Sequence, residues 1–382
     1  MRIFTMLIVL SLALVMSLNA QTVSTFAGPG IGVNDDIIQA ADGTIYGSNY
    51  SGTYVYKITT SGDVTEYMGG FNAPNGLAFD ADSNLVVLSN LGNRIYKVMP
   101  DSTKIQFGAN ITSPSGVIED PLSDTLYVTQ YTQNNVVKMA PDGSYTPFLS
   151  GPPLNGPVGL TWDENNVLFI ANYNDGKIFR VNGTTLTEIA DIPGTNAGAV
   201  GFLEYGEGML YATGIGVHRI YQVDPANGNT SILAGSGIAG IMDGPAANAR
   251  FNFPNGILFD KTDNSLYTSG FQSRAIRHIT GIITGITLES NDNIVEGYEL
   301  DQNYPNPFNP STTIRFRIPS AEAVQITLYD MSGREITTLL SQNLASGEHS
   351  LTFDAENLSS GVYVYRLQAG SYQATKKMML LK

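Results

Sequence analysis

Residues 74–98 read PNGLAFDADSNLVVLSNLGNRIYKV. An apolar run at 76–79, a polar turn at 80–84, a second run at 85–88 and a third at 94–98 follow too closely for helices, and each has strand length. A fourth run, 104–107, completes the unit. The pattern returns as PSGVIEDPLSDTLYVTQYTQNNVVKM from Pro114, PVGLTWDENNVLFIANYNDGKIFRV from Pro157 and PNGILFDKTDNSLYTSGFQSRAIRHI from Pro254. Weaker copies start near Asp35 and Val200. The early glycines stand at 76, 116, 159, 201 and 256, so most units span about 40 residues, the period of a β-propeller blade. One such sheet exposes apolar residues on both faces and must stack on its neighbours. Six in a ring leave no free end, and a six-bladed propeller is the expected architecture.

The ring must also close. TFAGPGIG (25–32) and ILAGSGIAG (232–240) share Ala-Gly-x-Gly-Ile, and each lies just upstream of an inner strand. Residues 22–26 are therefore expected as the outer strand of the sixth blade, beside strands around 256–261, 265–270 and 275–280. The same stretch contains GSGIAG (235–240), which satisfies the G-x-G-x-x-G pattern of a dinucleotide loop. Such a loop must open a helix whose N-terminus faces the pyrophosphate, but Gly244 and Pro245 break any helix here. It reads as a connection between blades.

Acidic residues outnumber Lys and Arg by 34 to 20, for a formal charge of −14, and no basic run offers a footprint for a phosphate backbone. Nucleic acid is not an expected partner. Cysteine is absent, which removes disulfides, thiolate metal sites and cysteine nucleophiles. The opening MRIFTMLIVLSLALVMSLNAQ has a basic Arg2, an apolar run and a small Ala20, the layout of a secretory signal cleaved after residue 20. No later segment is expected to span a membrane.

The connection SILAGSGIAGIMDGPAANARFNFPNGILFD is similar to NHL-repeat propellers, and residues 74–98 resemble both those repeats and the regucalcin and gluconolactonase family. The resemblance covers about residues 22–281. It implies a divalent cation at the channel mouth, held by oxygen ligands just before the early glycines. The matching positions are Asp35, Asn75, Ser115, Val158, Val200 and Asn255, so the candidate metal ligands are Asp35, Asn75 and Asn255. Ca²⁺ takes roughly six or more oxygens, so water would have to complete the shell and low affinity is expected. No other cofactor is expected.

DADSN (80–84) imitates the start of an EF-hand loop, but Leu85 and Leu91 replace its required glycine and glutamate, so it reads as a hairpin turn. There is no G-x-S-x-G elbow and no H-E-x-x-H. The three histidines, His218, His278 and His349, are expected in structural roles. Tyr50, Tyr131 and Tyr173 follow Asn49, Gln130 and Asn172 at the ends of second strands. They either line a shared mouth or pack between blades, and packing is expected because large rings are mostly core.

The repeat stops near residue 284, and 285–297 is polar enough to read as a linker. Beyond it come alternating runs at Ile314, Phe316 and Ile318 and at Val324, Ile326 and Leu328, a Ser332-Gly333 turn, and a terminal KKMMLLK. About seven short strands suggest a small Ig-like β-sandwich. Residues 298–382 closely resemble the C-terminal sorting domain of the type IX secretion system of Bacteroidetes. The motif residues are Tyr304, Pro305, Asn306, Pro307, Phe308, Asn309 and Pro310, with Gly333, Gly361 and the closing Lys382. The resemblance implies a periplasmic stage, the type IX machinery as partner, and release or attachment at the cell surface. The expected function is that of an exported binding module for a glycan, peptide or protein. A metal-dependent lactonase or other hydrolase of the gluconolactonase class, acting at the channel mouth, is the alternative, and the missing constellations weigh against an enzyme.

Overall fold

The computed structural model describes residues 21–382 except 194–197, 283–285, 292–296 and 356–357; the expected leader, residues 1–20, lies outside them. Among the described residues the structure is all β, apart from one 3₁₀ turn at Tyr131–Gln133. Six antiparallel sheets come first, and in five of them four strands are hydrogen-bonded in chain order. Their first strands are Ile37–Gln39, Pro74–Phe79, Pro114–Glu119, Pro157–Trp162 and Val200–Gly206; the sixth sheet begins with Pro254–Asp260.

Burial explains the composition of each strand. The second strands Leu85–Ser89, Leu126–Gln130 and Leu168–Asn172 are covered on both faces along their whole length, so they carry no polar alternation. The last strands, such as Lys104–Gln106, face solvent and read as polar. First strands lie side by side in chain order, and the sixth lies against the first. The approach is close enough that a β-carbon at Gly76 would strike the Ser115 carbonyl oxygen, and one at Gly256 that of Asp35. GSGIAG passes between the fifth and sixth sheets and leads into the two-residue strand Gly244–Pro245, with no helix after it.

The sixth sheet has the order Gly244–Pro245, Thr22–Ala27, Ile276–Thr280, Ser265–Gly270, Pro254–Asp260. Thr22 pairs with Thr280 and Val23 with Ile279, joining the start of the described chain to a strand more than 250 residues later. Arg277 locks the junction. Its guanidinium is 2% exposed and donates to the carbonyl oxygens of Arg250 (2.7 Å), Met242 (3.0 Å) and Ser24 (3.4 Å), and to Asp243 (2.7 Å).

Two further four-stranded sheets make the C-terminal unit. One runs Ile286–Asn291, Gly347–Asp354, Ser311–Ile318, Glu299–Leu300; the other runs Glu335–Leu344, Glu322–Tyr329, Gly361–Ala369, Tyr372–Leu380. Both contribute to one core, with Ile314, Phe316, Leu351 and Phe353 from the first and Val324, Ile326, Tyr363 and Tyr365 from the second. The expected linker is corrected here. Residues 286–291 pair with 348–353 as an edge strand, because Ile-Thr-Leu-Glu alternates apolar and polar residues with strand period. The two units touch where the Gln21 N–H donates to the Ile336 carbonyl (3.1 Å) while the Gln21 carbonyl accepts from the Ala246 N–H (3.0 Å).

Arg277→Met removes the four hydrogen bonds of a buried guanidinium at the seam and is expected to lower stability by roughly 2–4 kcal/mol in urea denaturation. Asp243→Ala, which removes a half-exposed partner, should cost about 1 kcal/mol or less.

Candidate functional site

Two tiers of side chains converge where the first strands begin. The lower tier comes from the residue before each early glycine and brings Asp35, Asn75, Ser115, Val158 and Asn255 to one cavity of about 320 Å³. The upper tier comes from the residues just after the second strands and supplies Tyr50, Asn90, Tyr131, Tyr173, Ile215 and Phe271. Local backbone geometry positions this upper tier. The residues preceding the inner-strand prolines, Ser113, Gly156 and Phe253, have φ of 46°, 60° and 54°, and their carbonyls accept from the N–H groups of Tyr131 (3.1 Å), Tyr173 (2.8 Å) and Phe271 (2.7 Å). A bulky Phe at positive φ is strained, and such strain collects at working sites. In the second sheet the same place is held by Asn90, whose N–H donates to the carbonyl of Ala73 (3.0 Å; Ala73 φ 53°), so an amide stands there instead of a ring, and Leu91 after it is 60% exposed.

The three tyrosines therefore line the mouth, a place that packing alone did not foretell. They also pack: Tyr131 and Tyr173 meet edge to face at 5.8 Å and rest on the core beneath. Tyr131 OH donates to Asn174 Oδ1 (2.9 Å). No histidine lines this cavity; His278 stacks on Tyr267 at 4.2 Å and His349 on Phe316 at 5.2 Å, while His218 accepts the Phe253 N–H at 3.3 Å. The DADSN turn is closed by Asp80, which accepts from Asn84 N–H (2.8 Å) and pairs with Lys97 (2.7 Å).

Asp35, Asn75 and Asn255 are brought together, but each is committed differently. Asn255 Nδ2 donates to Asp35 Oδ1, and its own Oδ1 turns toward Gly201. Asn75 Oδ1 is buried and has no partner. Burial first, and then the neighbouring Asp36 carboxyl, hold the Asp35 carboxyl well above the usual carboxylate range, against the pull of Asn255. A divalent cation needs several oxygens aimed at one point. Here Asp35 is the one acidic or basic side chain among the lining residues, Val158 holds one of the matching positions, and no group of three His, Cys, Asp or Glu could share an ion among the described residues. The donor set does not fit the cation that the gluconolactonase resemblance implies.

Two acidic residues escaped sequence reasoning. Asp36 occupies the glycine column of the first repeat, and its carboxylate accepts from Leu77 N–H (2.8 Å) in the next sheet and from Ile37 N–H (2.9 Å). Burial pushes its carboxyl up to about 8, those two hydrogen bonds opposing. Glu204, farther along its inner strand, lines two other clefts with Lys261; burial and then Asp36 push it up to about 8, with Lys261 pulling down. Reading Asp36 against the glycine column of the other repeats would have found it.

The second functional region is the C-terminal motif. Phe308 is buried; its N–H donates to Met379 O and its carbonyl accepts from Leu381 N–H, both at 2.9 Å. Asn306 Oδ1 accepts from Met379 N–H (2.9 Å), so the motif clamps the last strand. Tyr304 stands 81% exposed beside it. Gly333, at φ 82°, closes a turn in which Asp330 Oδ1 accepts from Ser332 and Arg334 N–H. Gly361 opens the strand Gly361–Ala369, and Lys382 N–H donates to Ser360 Oγ (2.9 Å).

Sheets and motif together define an all-β, propeller-like protein that carries a type IX sorting domain and is exported to the cell surface or medium. Residues 302–381 match the family described as the secretion system C-terminal sorting domain. Among solved structures, an auxiliary nutrient binding protein from Bacteroides ovatus is 15% identical, with a TM-score of 0.60 over 69% of this chain and 77% of that one. A gluconolactonase from Xanthomonas campestris is also 15% identical, with a TM-score of 0.54 over 68% of this chain and 89% of that one. These likenesses show the fold. A curated relative, the chloroplastic protein SUPPRESSOR OF QUENCHING 1 of Arabidopsis thaliana, is 24% identical over 265 residues, which cover 55% of this chain and 25% of that protein. The chain thus spans about a quarter of that relative's length. No helix among the described residues is long and apolar enough to cross a membrane.

Because the folded pKa values of Asp36 and Glu204 lie above those of the unfolded chain, roughly 4, folding binds their protons. Their contribution to stability is complete below about pH 4 and is lost as pH rises through about 8. Thermal melts should show a lower Tm at pH 9 than at pH 6, and Glu204→Gln should narrow the gap. Calorimetric titration with Ca²⁺ should give no micromolar binding, with or without Asp35→Ala.

Proposed function

We propose that this chain is an exported binding protein, a six-bladed propeller whose mouth cavity is the ligand site, followed by an Ig-like sandwich that serves export. The observation that carries this reading is a cavity of about 320 Å³ walled by aromatic rings, with Asn75 at its floor holding a buried Oδ1 that no hydrogen bond satisfies. Buried polar groups are nearly always satisfied, and a largely apolar cleft with a few polar groups at its floor is the usual form of a ligand site. The cavity lies at the lower end of the roughly 300–1,000 Å³ range of ligand clefts, a size for a small molecule or one residue of a larger partner. The Bacteroides ovatus neighbour, by its printed name a nutrient binding protein, shares the fold and supports binding over turnover. The gluconolactonase neighbour shares it too, but the mouth lacks the ligands for a metal-assisted reaction.

Calorimetry of the secreted protein against glycan and peptide panels is expected to find a ligand that Tyr173→Ala weakens by about tenfold, the scale of one anchoring aromatic. Ca²⁺-dependent turnover of a sugar lactone, abolished by Asp35→Ala, would overturn the reading. A chain cut before residue 302 is expected to accumulate in the periplasm on cell fractionation.

A further inference from the structure

The mouth cavity has a chemical polarity of its own. Two of the amide donors at its floor are already spent: Asn90 Nδ2 donates to Pro114 O (3.0 Å) and Ser115 Oγ (2.9 Å), and Asn255 Nδ2 donates to Asp35. Acceptors stand beside them. Asn75, 8% exposed, has an Oδ1 with no partner, and Asp35, 3% exposed, adds a carboxyl group beside it. Asn90 Oδ1 meets only the long 3.5 Å contact from Tyr50 OH. No Lys, Arg or His lines the cavity, so an anionic ligand would find no counter-charge, and the whole chain carries −14. Tyr50, Tyr131 and Tyr173 stand around this acid-and-amide floor, and aromatic faces attract organic cations.

Resting on the reading of this cavity as a ligand site, we propose that it takes a primary ammonium group on an alkyl stem, as in a lysine side chain or an alkylamine. The ammonium presents three N–H donors to the Asn75 Oδ1, Asp35 and Asn90 acceptors, and the tyrosine rings flank the stem. A hard metal ion is a poor substitute because the oxygens are too few to replace its hydration shell. A neutral sugar would meet the aromatic walls but leave the acid without a charged partner.

Two probes of matched shape decide the matter: Nα-acetyl-lysine methylamide and its Nε-acetylated form, titrated calorimetrically into the secreted protein. The charged probe is expected to bind and the acetylated one to bind at least about tenfold more weakly. Asp35→Asn, which keeps the shape and removes the charge, should abolish that preference. Asn75→Asp, which adds a second carboxylate, should strengthen binding, and it serves as the check if Asp35→Asn does not fold. Equal binding of the two probes would overturn the proposal. So would heat from a neutral disaccharide that Tyr173→Ala removes, alongside none from the charged probe; that result would leave the cavity a ligand site. No heat from any probe would overturn both readings.

Discussion

Everything in the first 280 residues hangs on one antiparallel junction, where Thr22–Ala27 adds to Ile276–Thr280 and Arg277 ties the seam. A guanidinium is well suited to the place because its fixed fork of donors can satisfy several carbonyls at once. The carbonyls of Arg250, Met242 and Ser24 come from three separate stretches of chain, and the one fork ties all three to the seam. The burial of a lone cation is offset by Asp243, which stays half exposed and so keeps much of its own hydration. The first five sheets need no such device, since their four strands follow in chain order.

The same economy builds the mouth. The four inner strands that open with proline each follow a residue held at positive φ, and that residue's carbonyl catches the residue after the second strand of its own sheet. The catch lifts a ring over the cavity at Tyr131, Tyr173 and Phe271, and in the second sheet the same catch places Asn90 there, an amide in the row of rings. Repetition of the sheet thus produces a ring of similar positions, and exceptions to the repetition give the ring its individuality.

Sheet order was legible because strand-length apolar runs and turn residues recur with a fixed spacing, and the shared Ala-Gly-x-Gly-Ile points the first strand to the last sheet. The convergence of Asp35, Asn75 and Asn255 was legible for the same reason, since equivalent columns of a ring must meet at its axis. What those residues do there was not. Whether Asn255 offers an oxygen or spends its amide on Asp35 depends on side-chain rotation, which no spacing encodes. The tyrosines were ambiguous because a ring after a strand can pack inward or stand at the rim, and the Gly156 and Ser113 carbonyls decide between them. Residues 286–291 read as linker because their partner strand, Gly347–Asp354, lies far downstream, and an edge strand without its partner looks like any polar connection.

The seam at Thr22 and Thr280 also sets a calendar. Its two halves are separated by 258 residues, so no partial chain can form it, and contacts this distant in sequence are slow to find. Until the last sheet has emerged from whatever channel delivers it, the third strand of that sheet shows a bare edge to its surroundings. The residues that follow are those of the sorting domain, which therefore arrives after the ring has everything it needs to shut. Position in the chain thus sets the address label behind cargo that already holds both halves of its own seam.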